Sequence, residues 1–298
     1  MEKRRLGRTD MEVGVLGFGG AEIGFEGAGE ETVRTLLNEA LDSGLNVIDT
    51  GECYVNSEEL IGKSVASRRK EYYLFTKCGH PEGLGSEDWT PSSLTKSIER
   101  SLVRLRTDYL DLVFLHSCSE AVLREGAAIA ALQHVRERGL VRYIGYSGDS
   151  NAALYAIQCG ALDVLETSLS IADQEAIDLT LPPAREQNMG VVIKRPIANA
   201  AWRTGQKPAN SYHHVYWERL QRLEYDSLKG DLKRAVAIAL RFTFSVPGVH
   251  MMIVGTTKPG RWKENLAILD DGPLPREEFE RIRARWREVA DETWTGQV

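Results

Sequence analysis

Apolar and polar positions along this chain fall into blocks, and the blocks switch period in a regular way. Residues 3–16, KRRLGRTDMEVGVL, read as two short strands around a Gly-Arg-Thr-Asp turn. LGFGG at 16–20 is a strand ending in glycines. EETVRTLLNEALDS at 30–43 puts Val33, Leu36, Leu37 and Leu41 on one helical face, with Gly44 as the stop. The alternation then repeats. Strand NVIDT (46–50) precedes helix SEELIGKSVAS (57–67), and YYLFTK (72–77) precedes PSSLTKSIERSLVRL (91–105). YLDLVFLH (109–116) precedes a helix near 120–138, VRYIGYS (141–147) one near 150–158, and DVLETSLS (163–170) one near 173–187. GVVIKRP (190–196) runs into a long connector, Asn199–Leu232. Helix LKRAVAIALRFTF (232–244) leads to strand MMIVGT (251–256), a short helix near 259–268 and an amphipathic helix over 275–294.

Several strands are nearly continuous apolar runs, the pattern of strands buried on both faces. Eight strand–helix units without an evident linker predict a closed barrel rather than a doubly wound open sheet. The expected class is α/β, a single (β/α)8 TIM barrel domain over residues 1–298 with an N-terminal β-hairpin and an extra C-terminal helix. The connector holds Trp202, Tyr212, His213, His214, Tyr216 and Trp217. A loop this long inside a compact domain is usually functional, and Trp202, Tyr212 and Trp217 are candidates for an apolar wall or for internal packing.

Side chains at the C-terminal ends of barrel strands converge on one mouth. Those ends carry Asp49 with nearby Tyr54, then Lys77, His116, Ser147, Glu166, Lys194 with Arg195, and Gly255-Thr256. Singly, each has a plainer reading. Asp49 serves as a helix cap, Tyr54 as a rim aromatic, Lys77 as a snorkelling cation and His116 as a satisfied core histidine. Jointly, three strands deliver an acid, a phenol, an ammonium and an imidazole to one place. A free tyrosine titrates near 10, too high for easy proton transfer at neutral pH. The Lys77 ammonium is expected to lower that value, with Asp49 holding Lys77 charged and His116 directing a substrate oxygen. Tyr54 then acts as proton donor to an oxygen that gains negative charge. No nucleophile–base pair of the Ser/His or Cys/His kind is evident, so a hydride from a bound nicotinamide fits as the bond-forming partner.

A phosphate site is expected after the last strand, in IVGTTKPGRWKENL (253–266). There Gly255, Thr256, Thr257, Lys258 and Arg261 line a loop and a helix start near Pro259. The plainer alternative makes Arg261 and Lys263 a solvated helix face. No GxGxxG follows an early strand, so a Rossmann domain is not supported.

Composition narrows the partners. The 298 residues are 42% hydrophobic and 27% charged, enough for an ordinary core, and the net charge of −6 argues against a nucleic-acid surface. No apolar run approaches a membrane span, and the basic N-terminus lacks the apolar stretch of a signal peptide. The four cysteines form no CxxC pair, which suits reduced thiols in a cytoplasmic protein. Cys53, Cys78 and Cys118 lie within two residues of Tyr54, Lys77 and His116. Since adjacent strand residues point to opposite faces, an oxidation-sensitive rim thiol is expected ahead of a zinc site.

With these residues in view, the sequence resembles the aldo-keto reductases over nearly its whole length. The resemblance rests on RRLGRTDMEVGVLGFGG, NVIDTGECYVNSEELIG, LFTK, SIERSLVRLRTDYLDLVFLH, GLVRYIGYS and VGTTKPGRWKENL. It implies carbonyl reduction by NADPH, or the reverse, on a small-molecule carbonyl substrate, in a barrel whose bottom is closed by the hairpin. It places the family's tetrad on Asp49, Tyr54, Lys77 and His116. It places the nicotinamide-amide contact on Ser147, and the contacts to adenosine 2′-phosphate and adenine on Thr256, Arg261 and Asn265. Four positions depart from the family pattern. Val55 stands where Gly is usual, Gly148-Asp149 where Asn often follows the Ser, and Glu166 where a Gln commonly holds the carboxamide. Lys194 or Arg195 stands where a Tyr commonly stacks on the nicotinamide. The expectation drawn from the last two is that Glu166 pairs with Lys194 or Arg195. Two other functions remain open: a cofactor-binding regulatory subunit with little turnover, and a non-redox lyase or isomerase using Tyr54 and Lys77.

Overall fold

Residues 1–297 are described by a computed structural model. Strands β1 (Lys3–Arg5) and β2 (Glu12–Gly14) form the antiparallel hairpin. The barrel follows as β3 (Leu16–Gly19), β4 (Val47–Asp49), β5 (Tyr73–Cys78), β6 (Leu110–His116), β7 (Val141–Ser147), β8 (Val164–Ser168), β9 (Gly190–Lys194) and β10 (Met251–Val254). Each barrel strand pairs in parallel with the next, and β10 closes the ring on β3.

Two apolar layers follow from the two-residue period of the strands. The outward set, including Ile48, Leu74, Val113, Ile144, Leu165, Ile193 and Met252, packs under helices that contribute Leu36, Leu37, Ile61, Leu94, Ile98 and Leu132. The inward set is Val47, Phe75, Leu112, Phe114, Val164, Val192, Met251 and Ile253, and the hairpin seals it from below with Leu6, Met11 and Val13. One inward step beyond this plug five strands turn polar: Asp49 beyond Val47, Lys77 beyond Phe75, His116 beyond Phe114, Glu166 beyond Val164, Lys194 beyond Val192. Register aligns that layer, with His116 opposite Ser147 and Ser147 opposite Glu166.

The structure departs from the sequence pattern where backbone chemistry interrupts a helix. The helix expected over 120–138 is two, Glu120–Glu125 and Ala127–Glu137, broken at Gly126, which adopts φ 77°. Such a left-handed residue ends one helix and redirects the chain. The span 173–187 is likewise split into Glu175–Leu179 and Leu181–Glu186, where Pro182 and Pro183 cannot donate backbone hydrogen bonds to the preceding turn. The last two helices are Arg261–Ile268 and Arg276–Val289, shorter than expected. The long connector is not structureless, since it contains helix His214–Leu223.

Candidate active site

Lys77 sits at the centre of the polar layer, fully buried. Its ammonium donates to Asp49 Oδ1 and to the Thr50 carbonyl at 3.0 Å, and lies 3.3 Å from Glu166 Oε1. Glu166 Oε1 also accepts from Ser147 Oγ at 3.1 Å. The second oxygens, Asp49 Oδ2 and Glu166 Oε2, are buried without a partner. Tyr54 arrives from the loop after β4. Its ring centroid is 5.3 Å from Lys77 Nζ and 5.7 Å from the His116 ring, edge to face. The sequence-derived tetrad therefore shares one mouth.

Electrostatics in this layer are dominated by burial. Desolvation works against the Lys77 ammonium, but Asp49 and Glu166 outweigh it and its pKa is raised. Asp49 is held well above the usual carboxylate range, first by burial and then by the like charge of Glu166. His116 is pushed well below 6.5 by burial and by Lys77, so its ring is neutral at pH 7. Tyr54 corrects the expectation. Lys77 does pull its pKa down, yet burial prevails and the net shift is upward. Proximity of the ammonium alone does not activate the phenol.

The expected pairing of Glu166 with Lys194 or Arg195 is also corrected. Glu166 points at Lys77 and Ser147, whereas Lys194 Nζ bonds Asp149 Oδ2 at 2.8 Å. Asp149 takes three further bonds, from Thr167 Oγ1 at 2.8 Å, Ser168 N at 2.7 Å and Ser168 Oγ at 3.2 Å. Although burial disfavours its charge, Lys194 and these donors hold Asp149 below the usual range. Arg195 donates to Ser168 Oγ at 3.1 Å and to Tyr212 Oη at 2.8 Å. Its backbone φ is 59°.

No local pattern in the chain signals what meets these cations. After helix Arg276–Val289 the chain folds back over the mouth, with Trp294 buried against Trp286. Arg219 donates to the Thr295 carbonyl at 2.7 Å, Gly296 N donates to Glu175 at 2.7 Å, and the Gln297 carbonyl accepts from Ser168, Lys194 and Arg195. A side chain at Gly296 would run into Asp149, so only glycine permits this approach. His80 was missed as well. Its Nε2 donates to the His116 carbonyl at 2.8 Å, and Glu52 fixes its loop by accepting from Gly79 N at 3.0 Å and His80 N at 3.2 Å.

The expected phosphate loop lies at the same end of the barrel. Gly255, Thr256 and Thr257 are partly exposed, Lys258 and Arg261 are exposed, and Asn265 is buried. The helix begins at Arg261 rather than near Pro259, and Arg261 pairs with Glu264 at 2.9 Å. Carboxylates approach the loop: Glu22 packs against Gly255, and Glu26 accepts from Thr257 Oγ1 at 3.0 Å. Trp202 and Trp217 pack against the main core, which answers the question of their role, and exposed Tyr212 bonds Arg195. Cys53 and Cys118 are buried and burial pushes both thiols up to about 12, so neither is the reactive rim thiolate expected. Among the described residues no cluster of His, Cys, Asp and Glu is arranged to hold a metal ion. No helix there is long and apolar enough to cross a membrane.

Residues 15–287 match the model of the aldo/keto reductase family. The chain belongs to the aldo/keto reductase family. It is similar to the uncharacterized oxidoreductase YqkF of Bacillus subtilis (strain 168), at 27% identity over 97% of this chain and 97% of that protein. L-galactose dehydrogenase of Arabidopsis thaliana is 27% identical over 100% of this chain and 98% of its own. Among solved structures, the aldo-keto reductase AKR11C1 from Bacillus halodurans in its holo form superposes with a TM-score of 0.85. It is 26% identical, with 99% of both chains covered. The mouth described above is thus the C-terminal face of an oxidoreductase barrel.

Proposed function

We propose that this enzyme interconverts a small carbonyl compound and its alcohol with NADP(H), and that Tyr54 handles the proton. The observation that carries the reading is the convergence of Tyr54, Lys77, Asp49 and His116 above an apolar plug. Neutral His116 and the Tyr54 hydroxyl offer two polar groups to one substrate oxygen, and buried Asp49 keeps the Lys77 ammonium charged beside them. A bound nicotinamide supplies the hydride. Ser147, the unpartnered Oε2 of buried Glu166, and Lys194 would hold its ring end. Gly255, Thr256, Thr257, Lys258, Arg261 and Asn265 would hold its phosphate and adenine end. The fit rests on that orphaned acceptor and on the cationic helix start, where the Arg261–Glu264 pair is exposed and contributes at most ~1 kcal/mol, so a phosphate can displace it. Tyr54 gives its proton to the oxygen in reduction and takes one back in oxidation.

The name of the Arabidopsis relative favours a polyhydroxy substrate, and the mouth suits one, with polar Arg195 and Tyr212 near it. The working unit is proposed to be one barrel domain in the cytoplasm, in keeping with four free thiols.

The test is NADPH fluorescence titration followed by absorbance loss with a panel of aldehydes, ketones and sugars. Tyr54→Phe is expected to bind NADPH within about twofold of wild type and to lose at least ~100-fold in kcat, the scale of general acid catalysis. Near wild-type turnover in that variant overturns the assignment of the proton. Binding without any turnover in the wild type points instead to the regulatory-subunit reading, and absence of NADPH binding removes both.

A further inference from the structure

An ammonium has three protons, and Lys77 places two of them in hydrogen bonds. One goes to Asp49 and one to the Thr50 carbonyl, while Glu166 Oε1 lies 3.3 Å away as a second ion-pair partner. The Tyr54 hydroxyl is not among the partners, although its ring centroid is only 5.3 Å from Nζ. Glu166 is 1% exposed, and its Oε1 also accepts from Ser147 Oγ. Two carboxyl groups thus crowd one ammonium in a layer from which water is excluded, and the like charge of Glu166 is, after burial, what holds Asp49 above the usual carboxylate range. Among the described residues, the surrounding groups bring no free cation. His116 from β6 is neutral, Cys53 from the loop after β4 keeps its proton, and His80 faces the His116 carbonyl. Lys194 and Arg195 from β9 are engaged by Asp149, Ser168 and the Gln297 carbonyl.

We propose that Glu166 is a positioning residue that competes with the Tyr54 hydroxyl for the third proton of Lys77, and so sets how readily Tyr54 exchanges its own. While the Glu166 side chain draws that N–H by its charge, Lys77 faces Tyr54 through the ring. With an uncharged side chain at position 166, the N–H is free to turn to the phenol oxygen and stabilise the phenolate by a direct charge-assisted hydrogen bond. A glutamine at this position has the same shape and can still accept from Ser147, but lacks the second charge. The inference rests on the proposed role of Tyr54 for its catalytic meaning and on the Lys77 contacts for its physics.

The experiment is an ultraviolet titration of tyrosinate, each protein read against its own Tyr54→Phe counterpart so that only Tyr54 is seen. Glu166→Gln is expected to bring the Tyr54 titration down by about one to two pH units relative to wild type. The pH profile of alcohol oxidation is expected to move in the same direction. Ser147→Ala perturbs the same spot without changing charge, and its Tyr54 titration is expected to stay with wild type. Coincident titrations of wild type and Glu166→Gln overturn the proposal, as does an equal shift in Ser147→Ala, which would make the effect one of packing. Glu166→Met gives the same readout should Glu166→Gln not fold. Because the titration needs no turnover, a protein that reduces no carbonyl overturns the functional reading and leaves the Glu166 result to be judged by itself.

Discussion

Val55 follows Tyr54 with φ 54°, Ser117 follows His116 with φ 64°, and Arg195 follows Lys194 with φ 59°. Three left-handed, non-glycine residues thus sit directly after three polar residues of the mouth. For a β-branched residue this conformation costs about 1–2 kcal/mol, and such strain persists only where the surroundings enforce it. Val55 is also 64% exposed, so its side chain contributes little packing in return. Val55→Gly is expected to leave the protein as stable as wild type or up to ~1 kcal/mol more stable, as read from the denaturant midpoint. A loss above ~1 kcal/mol would mean that the valine side chain, not the backbone, fixes the Tyr54 loop. Asp49, Lys77 and His116 were legible residue by residue because each is a polar interruption of an apolar strand. Tyr54 was legible only through its spacing from Asp49. His80, Asp149 and Ser168 were not, since their partners lie on other strands and nothing local marks them.

Among the elements, the hairpin and the mouth occupy opposite ends of the barrel, and they are expected to be separable. Leu6, at the tip of the plug, is fully buried against Met11, Val164 and Val192. Leu6→Ala removes its branched chain from a site the barrel cannot collapse into, at a cost of about 2–5 kcal/mol in urea unfolding. NADPH affinity is expected to change by less than about twofold, because no residue of the mouth loses a contact. A large loss of affinity in a still-folded Leu6→Ala protein would show that the plug and the polar layer are mechanically coupled. Periodicity placed the strands and most helices, and the composition of Pro182-Pro183 and the conformation of Gly126 explain the two helices that it ran together. The fold-back of residues 294–297 lay beyond such patterns. Its backbone groups are recognised by Arg219, Glu175 and Lys194, three residues that only the closed barrel brings side by side.

For the molecule as a whole, buried titratable groups pull the pH dependence of stability in opposite directions. His116 and His250 are both lowered, chiefly by burial, so the neutral ring is preferred on folding. Their contribution is present above the unfolded value of about 6.5 and is lost as the pH falls below it. Asp149 is lowered too and costs stability only at more acidic pH, below the ordinary value of 3.8. Glu22, beside the phosphate loop, is raised by burial from 4.5 to about 7. A raised carboxylate destabilises as the pH climbs from its unfolded toward its folded value, because the native state resists giving up the proton. Glu22→Gln is therefore expected to be more stable than wild type by about 1–3 kcal/mol at pH 8. The advantage should vanish near pH 4, where both states hold the proton. A difference that does not change with pH would place the effect in packing rather than ionisation.

The sequence by itself determined the barrel, because short apolar strand runs and a helical period alternated eight times without a linker. It also determined which strands end in an acid, an ammonium and an imidazole, because those residues break apolar runs at the same step past the plug. Which charge answers which was decided only by the tertiary structure. Glu166 faces Lys77 and not Lys194, Lys194 faces Asp149, and Tyr54 is held protonated by burial despite a neighbouring ammonium. Pairing and desolvation depend on where strands from distant parts of the chain come to rest against one another, and no local pattern encodes those distances.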